Sequence, residues 1–132
     1  ICLITIDFLA RIETGIDKVG KRFKDWVKLY FKDLNDEDIS LNDFASRLYE
    51  EFRNGLVHEG RIKKASQFSD DFSKLVEIEG LIIIINPNYL LKKIIESFKE
   101  YISKLKTEKS EFDIFKKNLK EDFQNDRNYV DI

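Results

Sequence analysis

One histidine occurs in the whole chain, and the residues around it are the ones whose types could do chemistry. His58 lies in the stretch Phe52-Arg53-Asn54-Gly55-Leu56-Val57-His58-Glu59. An imidazole, with an unperturbed pKa of about 6.5, can give or take a proton near neutral pH. A guanidinium can clasp a phosphate through two parallel N–H donors, and a carboxamide can donate and accept at once. Arg53, Asn54 and His58 therefore form a set suited to proton transfer beside a bound anion. The same residues also have a plain structural use. Arg53 could pair with Glu50 and Glu59, and His58 could sit near a helix C-terminus, where the dipole favours a cation.

The element that positions them is an amphipathic helix. At about 100° per residue, Leu41, Phe44, Ala45, Leu48, Tyr49, Phe52 and Leu56 fall on one apolar arc that faces a core. Arg53, Asn54 and His58 fall on the other side, with Val57 among them. Asn54 and His58 are four apart and share a ridge. In α-geometry Arg53 and His58 differ by about 7.5 Å along the axis and about 140° around it, so they flank a patch and do not meet. Ser40, or Asn42 with Ser46, caps the start and Gly60 ends it. Gly55 costs about 1 kcal/mol relative to Ala inside a helix, so a neighbouring backbone or a ligand is expected to approach closely there.

The stretch resembles the R-N-x-x-x-H signature of HEPN domains, with Phe52 before the Arg and the apolar spacing Phe44, Leu48, Phe52 upstream. The resemblance covers about the middle third of the chain and implies a small helical bundle. Many HEPN members are metal-independent endoribonucleases of toxin, antiviral and RNA-processing systems, while others have lost the chemistry. It implies cleavage through the RNA 2′-hydroxyl, leaving a 2′,3′-cyclic phosphate and needing no cofactor. His58 would act as general base or acid, a role worth about 10²- to 10⁴-fold. Arg53 would hold the phosphate bidentately and offset its growing charge. Asn54 would orient the histidine or donate to a phosphate oxygen.

Such a transfer needs one group to take a proton and another to give one, and each chain offers a single histidine. A symmetric homodimer with its axis near the motif helix supplies the second His58 and a second Arg53. Gly55 and Val57 are then the expected interface residues, in line with family sites that form between paired domains. An antitoxin or other regulatory partner protein is also within the resemblance. Two other readings fit the same helices: a non-catalytic module binding a protein or nucleotide, and a purely structural dimerisation domain.

Composition narrows the classes. A chain of 132 residues is one domain by size, with room for a real core. Its net charge of −2 makes the whole molecule a poor electrostatic partner for nucleic acid, so any RNA contact needs a local patch. Arg61, Lys63 and Lys64, just after the motif, supply the candidate, unless they are only a solvated loop. The single cysteine, Cys2, excludes an intrachain disulfide and a Cys-based zinc site, and leaves carboxylate-held magnesium as the metal option. It reads as a small hydrophobe inside an apolar run. There is no Gly-rich phosphate loop, no G-x-S-x-G and no Cys/His dyad. No apolar run has a membrane helix's length and no secretory signal opens the chain, so a cytoplasmic protein is expected. The chain begins on Ile1 within an apolar stretch and lacks Met, which reads as a piece of a longer protein.

The remaining elements follow from periodicity. Residues 1–13 carry Ile1, Ile4, Phe8 and Ile12 at helical spacing, widened by Leu3, Ile6 and Leu9, and should be buried on most sides, although a strand would also suit them. Residues 17–33 form a second amphipathic helix through Phe23, Trp26 and Tyr30, an aromatic stripe that belongs to the core. Asn35 to Asp38 are an acidic linker, and Phe68 and Phe72 anchor the polar connection that follows the motif. A β-hairpin is expected over about 74–86, turning at Glu79-Gly80, with the Leu81–Ile85 run needing cover on both faces. Asn86-Pro87 opens a long helix through Leu91, Ile94, Ile95, Phe98, Tyr101, Ile102 and Leu105. Ser110-Glu111-Phe112-Asp113 resembles a capping box that opens a last helix, which frays from Asn125. The fold class is mainly α, a HEPN-like bundle of about five helices with a small inserted β-hairpin.

Overall fold

The apolar arcs that the spacing predicts are satisfied by packing five helices together, with a small sheet covering one end. The computed structural model describes residues 1–130. In chain order these are α1 (Cys2–Thr14), α2 (Val19–Tyr30), α3 (Leu41–Arg47), α4 (Pro87–Thr107) and α5 (Lys109–Val130). Helix α3 does not stop at Arg47 but passes into π-helical turns over Leu48–Arg53 and Gly55–Glu59. Strands β1 (Gln67–Phe68), β2 (Val76–Glu79) and β3 (Ile82–Ile85) lie between the motif and α4. No helix of the described residues is long and apolar enough to cross a membrane.

Caps form where the sequence carries them. The Ser40 hydroxyl accepts from the Asp43 amide at 3.1 Å, and the buried Asn86 accepts from the Asn88 amide at 3.0 Å, with Pro87 in the first turn. Each such cap contributes about 1 kcal/mol. The hairpin turns on Gly80, whose φ of 63° is open to glycine. Its second strand lies in the middle of the sheet, antiparallel to β2 and parallel to β1, a short strand the sequence does not reveal. Ile83, Ile84 and Ile85 are all buried, because β3 has a strand on either side and helices against it. Asn86 ties the end of the sheet to α4 by donating from Nδ2 to the Phe72 carbonyl at 2.7 Å.

The core is aromatic. Phe23, Trp26 and Phe31 meet Phe44, Leu48 and Phe52 of the motif helix with almost no exposure. Trp26 packs on Tyr30 at 4.7 Å between ring centres, and Phe52 meets Phe68 edge-on at 5.1 Å. Burial stabilises each such side chain by about 1.5–3 kcal/mol.

Three expectations are corrected. Helix α1 buries Leu3, Ile6, Leu9, Ala10 and Ile12, while Ile4 and Phe8 stand in solvent at 66% and 58% exposure. Its neighbours cover one side only. For the same reason Leu91, Ile95 and Phe98 of α4 are exposed, and the core takes Leu90, Ile94 and Tyr101. Helix α5 begins at Lys109, after Glu108 as the single extended residue following α4. Ser110 is thus already inside the helix, and the turn persists past Asn125 to Val130. Packing along α1 holds α5 over residues 115–122. The Asn118 amide donates to the Ile12 carbonyl at 2.8 Å, and Asp122 pairs with Arg11.

At the crossing of α1, α2 and α4 the buried Glu13 accepts from the Tyr30 hydroxyl at 2.7 Å and faces Lys104 at 3.5 Å. Burial pushes the Glu13 carboxyl above its ordinary range, against the opposing pull of Tyr30 and Lys104.

Candidate functional site

Everything at the site follows from how the motif helix departs from α-geometry. The Asn54 amide donates to the Tyr49 carbonyl and the Gly60 amide to the Gly55 carbonyl, each five residues back. The returning chain sustains this wider winding. The Lys63 amide donates to the Glu51 carbonyl at 2.9 Å and the Arg61 amide to the Gly55 carbonyl at 3.2 Å. Inserting outside partners into a helix ladder is a recognised cause of such local distortion.

Gly55 makes that return possible. A Cβ built there would lie 2.3 Å from the Arg61 carbonyl oxygen and 3.2 Å from the Lys63 nitrogen. The close approach expected at Gly55 is therefore made by this chain's own 61–63 segment, and Gly55 is buried. Any covering partner would meet Leu56 and Val57 instead, at 40% and 53% exposure. Leu56 belongs to the core arc in an α-helical projection; the widened turns bring it out.

In a five-residue repeat, positions five apart such as Arg53 and His58 lie closer around the axis than the separation of about 140° in α-geometry. His58 is exposed and has no hydrogen-bond partner among the described residues. Arg53 is largely enclosed. Its Nε donates to Asp7 of α1 at 2.9 Å, its Nη1 donates to the Asn54 carboxamide oxygen at 2.9 Å, and its guanidinium lies 5.6 Å from the Tyr49 ring centre. Neither Glu50 nor Glu59 is its partner; the counter-ion comes from forty-six residues away. Both N–H groups of Nη2 and one of Nη1 are uncommitted, so a two-pronged donor for a phosphate remains while Arg53 keeps Asp7 and Asn54. Asn54 spends its oxygen on Arg53 and keeps its Nδ2 as a donor.

Beside Arg53 opens a cleft of about 270 Å³ lined by Ile1, Leu3, Ile4, Leu56, Val57 and Asp7. One oxygen of Asp7 is buried there without a hydrogen-bond partner. Arg61 and Lys63 do not reach the site as free cations. Both pair with Glu59, at 3.2 and 3.4 Å. Lys64 is exposed and sits in a left-handed turn with φ 57°.

No family model, no curated protein and no solved structure matches the chain.

Two features of the site lie outside what spacing reveals. Asp7 is an isolated acid in an apolar segment, and a charge placed there is a signal that a buried partner exists. The other is the ion pair beneath the motif. Glu51 is buried and takes both Arg47 Nε (2.6 Å) and Nη2 (3.1 Å), while Ser66 donates to it at 3.3 Å. Arg47 Nη2 also donates to the Leu81 carbonyl at 2.7 Å, and the Ser66 oxygen accepts from the Ile83 amide at 3.3 Å. This network fastens the motif helix to the hairpin.

Proposed function

We propose that the protein is a metal-independent RNA endonuclease of HEPN type, working as a symmetric homodimer. What supports the reading is the π-helical winding of the motif, in which residues five apart lie closer around the axis than in an α-helix, beside an exposed apolar collar of Ile1, Ile4, Leu56 and Val57. In the reaction, His58 takes the proton from a 2′-hydroxyl as that oxygen attacks the adjacent phosphorus. The second copy's His58 gives a proton to the departing 5′-oxygen, leaving a 2′,3′-cyclic phosphate. Arg53 holds the phosphate through Nη2 and the second N–H of Nη1, while Asn54 offers its own Nδ2 to a phosphate oxygen. A role in a toxin, defence or RNA-processing system, acting in the cytoplasm with an antitoxin or regulatory protein as partner, belongs to the same reading.

Two results are expected. Cleavage of a mixed-sequence RNA proceeds in EDTA and leaves cyclic phosphate ends, because the proposed groups supply acid, base and charge without a metal. Strict dependence on added magnesium or manganese sinks the mechanism. Light scattering at micromolar concentration gives a dimer, and Val57→Glu gives a monomer with cleavage lowered at least tenfold. A charge in the covered centre of an interface costs about 1.4 kcal/mol or more, which is that factor. A monomeric variant that cleaves as well as the parent removes the composite site.

A second reading is favoured by the enclosure of Arg53: a non-catalytic HEPN-like module that binds a protein or nucleotide and dimerises through the same collar. Under it the Asp7–Arg53–Asn54 chain is structural. Dimerisation then survives while no RNA is cut under any condition.

A further inference from the structure

The basic residues that a substrate would meet lie elsewhere than the 61–64 segment. Along α2, Lys21, Lys24 and Lys28 line one wall of a polar groove of about 360 Å³, and Asn42 and Ser46 of α3 line the other. Gly20 and Ala45 form the floor. Three cations face one carboxylate here, since Asp25 pairs with Lys21 at 2.6 Å and with Lys28 at 3.5 Å. The Lys21 hydrogen bond holds Asp25 below the usual carboxylate range, so it stays ionised and offsets only one of the three charges. Lys24 has no ion pair among the described residues. Its ammonium instead stands 5.8 Å from the centre of the Tyr49 ring, the same ring that carries Arg53 at 5.6 Å. Tyr49 is pressed against Gly20, where a Cβ would lie 2.9 Å from the ring. The groove and Arg53 therefore adjoin across one aromatic side chain, a local positive surface in a chain whose net charge is −2.

We propose that the groove between α2 and α3 carries the phosphate backbone of a single-stranded RNA to Arg53. The inference rests on the endonuclease reading and names where its substrate lies. Spaced cations beside hydrogen-bonding Asn and Ser suit a charged, repeating backbone, and the half-buried Tyr49 ring, with Lys24 and Arg53 both over it, joins the groove to Arg53. An acidic peptide matches the charge but not the regular spacing of Lys21, Lys24 and Lys28 along one helix face.

The test uses the His58→Ala protein, which keeps bound RNA intact, and a short labelled single-stranded RNA followed by fluorescence anisotropy over a salt series. Changing Lys21, Lys24 and Lys28 together to Gln is expected to weaken binding at least tenfold at low salt. It should also flatten the logarithmic salt dependence by about 2, at roughly 0.7 per lost phosphate contact. Lys92→Gln with Lys99→Gln on α4 should change neither. Equal melting temperatures before and after substitution establish that Gln preserves the fold; if the triple variant melts early, Lys21→Gln with Lys28→Gln alone gives the comparison. Unchanged affinity and slope overturn the groove, as does an acidic peptide that displaces RNA at equal concentration. The two claims fail separately. RNA that is cut with unchanged kcat/KM by the lysine variant refutes the groove alone. RNA that is bound through the lysines but never cut by the His58-containing protein refutes the nuclease alone.

Discussion

Arg47→Ala is expected to destabilise the fold by about 3 kcal/mol. The substitution leaves the Glu51 carboxylate enclosed at 2% exposure with only the Ser66 hydroxyl still donating to it. Removing one partner of a buried pair costs about 3–5 kcal/mol, and the partial exposure of Arg47 together with Ser66 places the loss at the lower end. The Leu81 carbonyl also loses its donor, which loosens the hairpin turn. Against a typical total of 5–15 kcal/mol this is a large fraction, readable as a lower urea midpoint at constant slope. Adding Glu51→Leu in the same chain should recover most of it, because an apolar pair of similar volume avoids the desolvation cost. A single-variant loss within about 0.5 kcal/mol would mean that the network contributes nothing.

His58→Ala should abolish RNA cleavage by about 10²- to 10⁴-fold and leave stability within about 0.5 kcal/mol, since the side chain is exposed and unpartnered. Arg53→Ala should behave differently. It too loses cleavage, but it strands Asp7, whose second oxygen already lacks a partner, and so costs about 1–3 kcal/mol. Reasoning from the helical wheel alone puts both residues off the core and expects both substitutions to be harmless to folding. The ion pair with α1 corrects that for arginine. Arg53→Lys restores charge beside Asp7 without the planar fork, so stability should return further than activity. Parallel urea melts and RNA digests of the three variants give the answer. A fully active His58→Ala protein ends the catalytic assignment, whereas equal stability of the two alanine variants shows the Asp7 pair to be idle.

What the sequence by itself determined are the local matters. Ser40 and Asn86-Pro87 start helices, Gly80 turns a hairpin and Gly60, at φ 68°, ends the motif helix. Each depends on a backbone conformation or a hydrogen bond within a few residues, which residue type controls directly. The periodicity that buries Phe23, Trp26, Phe44, Leu48 and Phe52 is of the same kind.

Tertiary structure decided the rest, because it depends on what stands opposite. An apolar arc says that a face wants cover, and only packing shows that Ile4, Phe8, Leu91 and Leu56 are left without it. Residues 61–63 fold back onto Gly55 and Glu51, and that return sustains the wide π-helical turns of the motif. The two-residue β1 has no sequence signal, since its register is set by lying parallel to β3. The partner of Arg53 was undecidable along the chain, where Glu50 and Glu59 are near. Asp7 takes it because the α1 crossing encloses both groups, and a carboxylate and a guanidinium shielded from water attract far more strongly than the same charges do on an open helix surface.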